Sequence, residues 1–526
     1  MLDMLYELTF VSPVNLLWVL LGTALGIAVG AIPGLTGAML IALALPLTYA
    51  MQPGEAMVLL VSMYVGSISG GLITATLLRM PGTPASVITT LDGYPLAQAG
   101  KPGRALGLGI MASFSGGMIS WMFLLMLARP ISVISTRLSS FDYFALVLVA
   151  LVLIASVSGK SLLRGLFSGM LGMLVTIPGQ SPATGETRWT FGLEQLNGGF
   201  ALLPVLIGMF AVSQIIHESG KHKMAVSTSD AKTEGVLLDF ADWRKYMWNM
   251  CRSSVIGTWV GILPGVGANV GSVMAYSAAK GLSKNPERFG HGAEDGIVAS
   301  EAANNATIGG ALIPLVAMGI PGSVIDAILL GALVLHGLQP GALLFENDPD
   351  IVYTIILTML LANVVMFVLM VGTARWIANL AVIPRHLLLP VVMAFCVVGS
   401  FALNNRLCDV WIMLGFGVVG FILERYRVPL APFVIGFVLA PIAEEKLGSA
   451  LQASGGSYLP LISGPISLTL LIIAVGLVIW PIVRRFRQSQ GNSVSHSFAD
   501  TSLPNQPTDT TSKVLDENDP DTEVLN

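Results

Sequence analysis

The sequence predicts an all-α polytopic membrane protein, on three observations. Of the 526 residues, 54% are hydrophobic and 11% are charged, whereas about 25% of the residues of an ordinary soluble domain are charged. We count about eleven to thirteen apolar stretches of bilayer-spanning length, roughly 20 residues each. These stretches lack the polar alternation of barrel strands, and a helix satisfies its own backbone hydrogen bonds in lipid.

Two hydrophilic segments divide the chain. Both lie beside clusters of Lys and Arg, for example Arg484, Arg485 and Arg487, and basic loops favour the cytoplasmic side. The last segment is polar and acidic, a composition typical of disorder. The predicted regions are a first transmembrane repeat at 1–216, a cytoplasmic linker at 217–252, a second transmembrane repeat at 253–458, an extra C-terminal transmembrane helix at 459–487 and a disordered acidic cytoplasmic tail at 488–526.

The charges before the first apolar stretch predict the direction of each half. Asp3 and Glu7 precede this stretch without any Lys or Arg, which favours a start outside the cytoplasm. A start outside and a cytoplasmic linker require an odd number of crossings in the first half. The second half would then run in the opposite direction, so we expect two inverted-topology repeats.

A pair of Pro-Gly steps occurs in each half and reveals the repeat. Pro264 follows Pro33 by 231 residues, and Pro321 follows Pro81 by 240 residues. The two offsets differ by nine residues, and the polar segment 280–295 is long enough to contain most of this insertion. Two motifs in the same order indicate two related halves.

The Pro-Gly steps predict broken or re-entrant helices. Pro removes a backbone donor and Gly adopts non-helical conformations, so each step interrupts an apolar helix. Paired interruptions in corresponding places of two halves point to the midplane binding site of a transporter, and helix N-termini attract carboxylates. The candidate substrate-binding residues are Pro33, Gly34, Thr36, Pro81, Gly82, Thr83, Ser86, Pro264, Gly265, Asn269, Pro321, Gly322 and Ser323. Close helix packing through small residues is the alternative role for the glycines.

Ionisable residues near these steps are the candidates for ion coupling, because charges inside a membrane are costly and usually functional. Glu301 lies in a Glu-Ala-Ala-Asn-Asn segment and is the preferred candidate, and Asp326 is the second. The candidate ligands are Glu301, Asn304, Asn305 and Asp326. For Arg79, Asp92 and His336 we expect positions at helix ends near the lipid headgroups.

Other chemistries find no support in the sequence. The cysteines Cys251, Cys396 and Cys408 have neither disulfide nor metal-site spacing. No basic run suggests nucleic acid, and we find no metalloprotease, serine-hydrolase or P-loop motif. We therefore expect no enzyme activity, no cofactor and no metal beyond a transported Na⁺.

Six segments together resemble a known family. They are Pro-Gly-Leu-Thr-Gly at 33–37, Met-Pro-Gly-Thr-Pro-Ala-Ser at 80–86, Leu-Asp-Gly-Tyr-Pro-Leu at 91–96, Leu-Pro-Gly-Val-Gly-Ala at 263–268, Glu-Ala-Ala-Asn-Asn-Ala at 301–306 and His-Gly-Leu-Gln-Pro-Gly at 336–341. In this order they resemble the large membrane (permease) subunit of tripartite tricarboxylate transporters. Arg79, Ser300 and Asp326 depart from the family pattern.

The resemblance implies a multi-pass permease of the bacterial inner membrane, with a cytoplasmic C-terminus. Its implied partners are a small membrane subunit and a periplasmic solute-binding protein. It would take up a small di- or tricarboxylate by alternating access, driven by a gradient of Na⁺ or H⁺. A cation antiporter using Glu301 and Asp326 is the alternative, and an intramembrane enzyme is a remote one.

Overall fold

The computed structural model describes residues 12–157, 161–219, 236–377 and 385–479. The predicted tail at 488–526, the arginines at 484–487, the acidic start and residues 220–235 of the predicted linker lie outside the described residues. Within these ranges the strands are β1 (Gly179–Gln180) and β2 (Thr187–Arg188), which pair in antiparallel register. Nearly all remaining elements are helices.

The helices fall into two series separated by the linker. The first series is α1 (Pro13–Gly30), α2 (Gly37–Thr48), α3 (Pro53–Leu78), α4 (Thr89–Gln98), α5 (Pro102–Ser135), α6 (Ser140–Val157), α7 (Leu162–Val175) and α8 (Leu202–Ser219), which contains a π-helical turn. The second series is α9 (Phe240–Ile262), α10 (Gly267–Leu282), α11 (Glu294–Met318), α12 (Val324–Leu335), α13 (Ala342–Asn347), α14 (Pro349–Ile377), α15 (Arg385–Asn404), α16 (Leu407–Arg425), α17 (Leu430–Ala453), α18 (Leu459–Ser463) and α19 (Pro465–Ile479).

Length and composition identify the helices that can cross a bilayer. Among the described residues six helices qualify, namely α1, α3, α5, α8, α14 and α16, and six shorter helices are apolar as well. Because a crossing needs about 20 apolar residues, these helices make the chain a multi-pass membrane protein. The prediction of an all-α polytopic membrane fold is confirmed.

Close helix packing reproduces the repeat seen in the sequence. A side-chain carbon on Gly26 would collide with the carbonyl oxygen of Met63, and one on Gly257 would collide with that of Ala303. The glycines differ by 231 residues and their partners by 240. Thus α1 packs on α3 as α9 packs on α11, at corresponding residues. Small residues permit this close approach, which supplies packing energy in lipid.

The long helices α5 and α14 run in opposite directions. Trp121 on α5 donates its indole N–H to the carbonyl oxygen of Ile356 at 3.0 Å. One turn earlier on α5, Gly117 faces Asn363, which lies further along α14. Each of these helices follows the second Pro-Gly step of its own half, so their antiparallel packing gives the two halves inverted orientations.

The central helices α3 and α11 form the buried core. Gly296 through Ala317 of α11 are buried without interruption, and the most apolar window of α3 is entirely buried. Each central helix packs against the long helix of the other half, α3 against α14 and α11 against α5. The halves are therefore interlocked, and the middle of each central helix is buried inside the protein.

Helix α9 begins inside the segment predicted as linker. Its first residue is Phe240, well before the predicted boundary at 252. The side chain of Asp242 bonds to Arg104 at the start of α5, and Asn249 bonds to Asp295 at the start of α11. Polar side chains on these first turns serve helix contacts, which explains why hydrophilicity alone places the boundary too late.

The α5–α11 contact generates a stability prediction. A side-chain carbon on Gly116 would collide with the backbone of Ala302, whereas one on Gly372 of α14 would meet no atom within 4 Å. We expect Gly116→Ala to lower the unfolding free energy by about 1–3 kcal/mol because of overpacking. Gly372→Ala, the matched control, should leave it unchanged or raise it by up to about 1 kcal/mol. Thermal unfolding of the purified chain measures both; equal midpoints would contradict the packing.

Candidate functional site

The Pro-Gly steps form four breaks, and within each half the two breaks touch. In the first half, a side-chain carbon on Gly82 would collide with the carbonyl oxygen of Gly30, which lies just before Pro33. In the second half, the N–H of Gly265 donates to the carbonyl oxygen of Gly322 at 2.7 Å. The freed backbone groups are thus partly satisfied by the neighbouring break.

Contacts between the halves bring all four breaks together. A side-chain carbon on Gly37, at the start of α2, would lie 3.2 Å from Cδ1 of Ile325 at the start of α12. Helix α10, which follows the third break, packs against the short 3₁₀ helix Ala85–Val87, which follows the second. We call this group of interrupted backbone the break cluster.

Hydroxyl side chains cap the helices that leave the break cluster. Thr36 Oγ1 accepts the N–H of Met39 at 3.2 Å and caps α2. Ser323 Oγ accepts the N–H of Asp326 at 3.4 Å and caps α12. An accepting hydroxyl at this position satisfies one of the free N–H groups of the helix start.

Thr83 and Ser86 form the matching pair in the first half. Ser86 donates its N–H to Thr83 Oγ1 at 3.4 Å, and Thr83 donates its N–H to Ser86 Oγ at 3.1 Å. The offset of 240 residues relates Thr83 to Ser323 and Ser86 to Asp326. The equivalent breaks therefore share a capping contact, but one carries a hydroxyl where the other carries a carboxyl.

Glu301 lies in a polar cluster at the centre of α11. Its side chain is fully buried and accepts hydrogen bonds from Thr89 on α4 and from Ser113 on α5, the latter at 3.2 Å. Asn305 donates its amide to the Glu301 carbonyl oxygen at 3.2 Å and accepts the Ser69 hydroxyl at 2.6 Å. We call these five residues the Glu301 cluster; helices of both halves contribute to it.

Asn304 adds unused hydrogen-bonding capacity beside the Glu301 cluster. It is fully buried, and neither atom of its amide makes a hydrogen bond of normal geometry. Among the described residues, Glu301 forms no ion pair with Lys, Arg or His. A buried carboxyl without a counter-charge, next to a buried amide, is chemically suited to hold a cation or a proton.

Asp326 is a second buried carboxyl group, separate from the Glu301 cluster. It is fully buried, and neither carboxyl oxygen makes a hydrogen bond of normal geometry. Beside it, the hydroxyls of Tyr64 and Ser323 are 3.3 Å apart. No described contact joins Asp326 to Glu301, so the four candidate ion ligands divide between two polar clusters rather than forming one site.

Several candidates lie away from these clusters. The Asn269 side chain is exposed on α10. Arg79 is also exposed, with its guanidinium carbon 5.7 Å from the Tyr94 ring centre, and its φ of 55° ends α3 in the left-handed conformation. His336 is partly exposed, 3.4 Å from Thr48 Oγ1. The expectation that Asp92 faces the headgroups was wrong, because it is buried and accepts four hydrogen bonds.

Sequence reasoning missed the partners that complete the site. Ser69, Thr89 and Ser113 are ordinary hydroxyl residues of α3, α4 and α5, and no motif distinguishes them. Glu218 could have been noticed, because it is an acidic residue at the end of an apolar stretch. It is buried on α8, and its carboxyl carbon would lie 2.9 Å from a side-chain carbon on Gly34.

Comparison with known proteins identifies the family. The model of the tripartite tricarboxylate transporter TctA family matches residues 16–435. The chain belongs to this family. The TctA match includes all four breaks, the Glu301 cluster and Asp326. It makes the chain a component of a transport system.

Two curated relatives come from Agrobacterium vitis. An uncharacterized 52.8 kDa protein in the TAR-I ttuC' 3' region is 31% identical over 485 residues, which cover 92% of this chain and 96% of the relative. An uncharacterized protein in the TAR-II ttuC' 3' region is 35% identical over 234 residues, covering 44% of this chain and 97% of the relative. No solved structure matches the chain.

The Glu301 cluster yields a second stability prediction. Ser69→Ala leaves the buried Asn305 oxygen without its donor, so we expect a loss of about 1–3 kcal/mol in unfolding free energy. Ser62, two turns earlier on α3, is equally buried but its hydroxyl has no hydrogen bond. Ser62→Ala should therefore be nearly neutral. Chemical denaturation of both variants in the same detergent tests this; equal losses would refute the Ser69–Asn305 contact.

Proposed function

We propose that the chain is the permease subunit of a binding-protein-dependent secondary transporter. It takes up a small di- or tricarboxylate by cation-coupled alternating access. The observation that carries the proposal is the convergence of four broken helices from two inverted halves beside buried carboxyl groups. Secondary transporters place substrate and coupling ions at such interrupted helices, between repeats that rock against each other.

The break cluster is the proposed substrate site. A carboxylate placed there meets helix N-termini, whose free N–H groups and partial positive charge favour anions. Thr36, Thr83, Ser86 and Ser323 supply hydroxyl groups that add directional hydrogen bonds. A substrate with two or three carboxylates is long enough to use N–H groups from both halves at once, which makes its binding sensitive to how the halves are placed.

Glu301 is the proposed coupling group. An anionic substrate entering next to a buried, unpaired carboxylate would be repelled, and a cation bound at Glu301 removes this repulsion. Asn304 and Asn305 are the proposed additional ligands, and Asp326 is the second candidate. Either Na⁺ or H⁺ meets this requirement, because both neutralise the carboxylate before the site closes.

The remaining parts of the proposal follow from the family. The permease works in the bacterial inner membrane with a small membrane subunit and a periplasmic solute-binding protein. Its C-terminus lies in the cytoplasm, and it needs no cofactor, no nucleic acid and no resident metal. The positive charges of the linker and of the end of the chain support this orientation.

Uptake by membrane vesicles tests the proposal. The chain is produced with the small membrane subunit, and the binding protein is added on the periplasmic side with radiolabelled citrate or a dicarboxylate. We expect accumulation under a Na⁺ gradient or a proton gradient, and only with the binding protein present. Cation exchange without uptake of any carboxylate under either gradient would favour the antiporter instead.

Glu301→Gln tests the coupling role. The substitution keeps the shape and an acceptor for the Thr89 or Ser113 hydroxyl but removes the charge. We expect gradient-driven accumulation to fall by about tenfold or more, since an intramembrane charge used for coupling cannot be replaced by an amide. Glu346 is exposed on α13, so Glu346→Gln is the control and should transport normally. Wild-type accumulation by Glu301→Gln would transfer the coupling role to another group.

A further inference from the structure

Asp92 is a buried carboxylate that the proposed transport chemistry does not use. Its side chain is fully buried on α4. Oδ1 accepts three backbone N–H groups, from Gly290 at 2.8 Å, Gly292 at 2.9 Å and Ala293 at 2.8 Å. Oδ2 accepts the Tyr276 hydroxyl at 2.9 Å. Convergent N–H groups of this kind form an anion-binding nest, here occupied by a side chain of the same protein.

The four hydrogen bonds connect the two halves. Asp92 belongs to the first half, whereas the loop 290–293 and Tyr276 on α10 belong to the second. The loop lies in the segment 280–295, where the unequal repeat offsets place the insertion of the second half. The extra residues of the second half therefore close onto α4 of the first half.

The contact lies at the linker end of the molecule. Just after the loop, Glu294 begins α11 and pairs with Arg104 at the start of α5. Arg104 also pairs with Asp242 near the start of α9, at 3.0 Å. The starts of three helices thus meet beside the Asp92 contact, on the side where the linker joins α9.

Directly beneath this contact lies the Glu301 cluster. Gly296 packs against Asp92, because a side-chain carbon there would lie 3.1 Å from Asp92 Cγ. One turn deeper on α11, the Ser300 hydroxyl is 3.2 Å from that of Thr89, which in turn donates to Glu301. On α4, Thr89 lies one turn before Asp92. The Asp92 contact therefore lies between the Glu301 cluster and the starts of α5 and α11.

We propose that Asp92 is the latch of the gate on the linker side. Its bonds to the loop 290–293 hold α4 against the second half, and their release opens the Glu301 cluster to the linker side. This role rests on the proposed alternating access. Helix α4 is suited to moving away from the second half because it is short and follows the break at Pro81–Gly82. It can therefore tilt without displacing a long helix. Hydrogen bonds to an ionised carboxylate are stronger than neutral ones. Because all four bonds end on Asp92, a movement of this one side chain breaks them together, as a two-state latch requires.

Thiol labelling tests the latch without any transported solute. Ser300→Cys is introduced into the full-length chain after its three native cysteines have been replaced, and a membrane-impermeant maleimide is applied to vesicles of either orientation. With Asp92 intact, labelling should be slow. Asp92→Ala should raise the labelling rate by about tenfold or more from the linker side only, because three buried N–H groups lose their acceptor.

Graded variants separate a latch from a general loss of structure. Asp92→Asn keeps one oxygen acceptor and Tyr276→Phe removes one of the four bonds, so both should give rates between those of the parent and Asp92→Ala. Asp142 is buried at the start of α6, and within the described part of the chain its carboxyl bonds to Ser139 alone. Asp142→Ala is therefore the matched control and should leave the rate unchanged.

Each outcome decides the proposal. Faster labelling from both sides, or an unchanged rate in Asp92→Asn and Tyr276→Phe, would overturn it. If Asp92→Ala does not reach the membrane, the two milder variants still decide, with an expected increase of about threefold. Labelling that follows the expected order while carboxylate uptake fails would keep the gate and reject the proposed substrate.

Discussion

The need to satisfy backbone hydrogen bonds away from water controls this structure. Each Pro-Gly step frees N–H and carbonyl groups, and lipid offers them no partner. The protein meets this need by placing the breaks against one another, as in the bond from Gly265 to the Gly322 carbonyl oxygen, and by capping helix starts with hydroxyls. The breaks therefore lie against one another, and helices of both halves pack around them.

Surrounding four breaks requires unusually close helices. Glycines on α1 and α9 let the central helices approach to backbone contact, and the central helices in turn pack on the long helices of the opposite half. This exchange of partners explains why both α3 and α11 are buried along their length. It also explains how side chains from α3, α4, α5 and α11 meet in the Glu301 cluster, although they are far apart in the sequence.

The sequence predicts the parts of this design that leave a local signal. Pro-Gly steps, their two offsets and the polar insertion at 280–295 are visible in one dimension, and they predict the broken helices and the repeat. The other members of the Glu301 cluster are not predictable in this way, because Ser69, Thr89 and Ser113 are ordinary residues until the helices pack. The contacts of Asp92 are equally unpredictable from the sequence. Its partners are mainly backbone N–H groups, which every residue except proline carries, so no residue pattern indicates the proposed latch. Likewise, Asp326 and Glu301 look like members of one ion site in sequence, but packing separates them.

The insertion in the second half affects the relative free energies of the transporter's conformations. Two identical inverted halves would make the inward-open and outward-open conformations equivalent by a two-fold rotation and therefore equal in free energy. The loop 290–293 has no counterpart of equal length in the first half, so its bonds to Asp92 stabilise only one of these conformations. A difference of about 1.4 kcal/mol already gives a tenfold preference. We therefore expect the unliganded permease to favour one resting conformation. In this conformation the site is closed on the linker side and accessible to substrate from the opposite side.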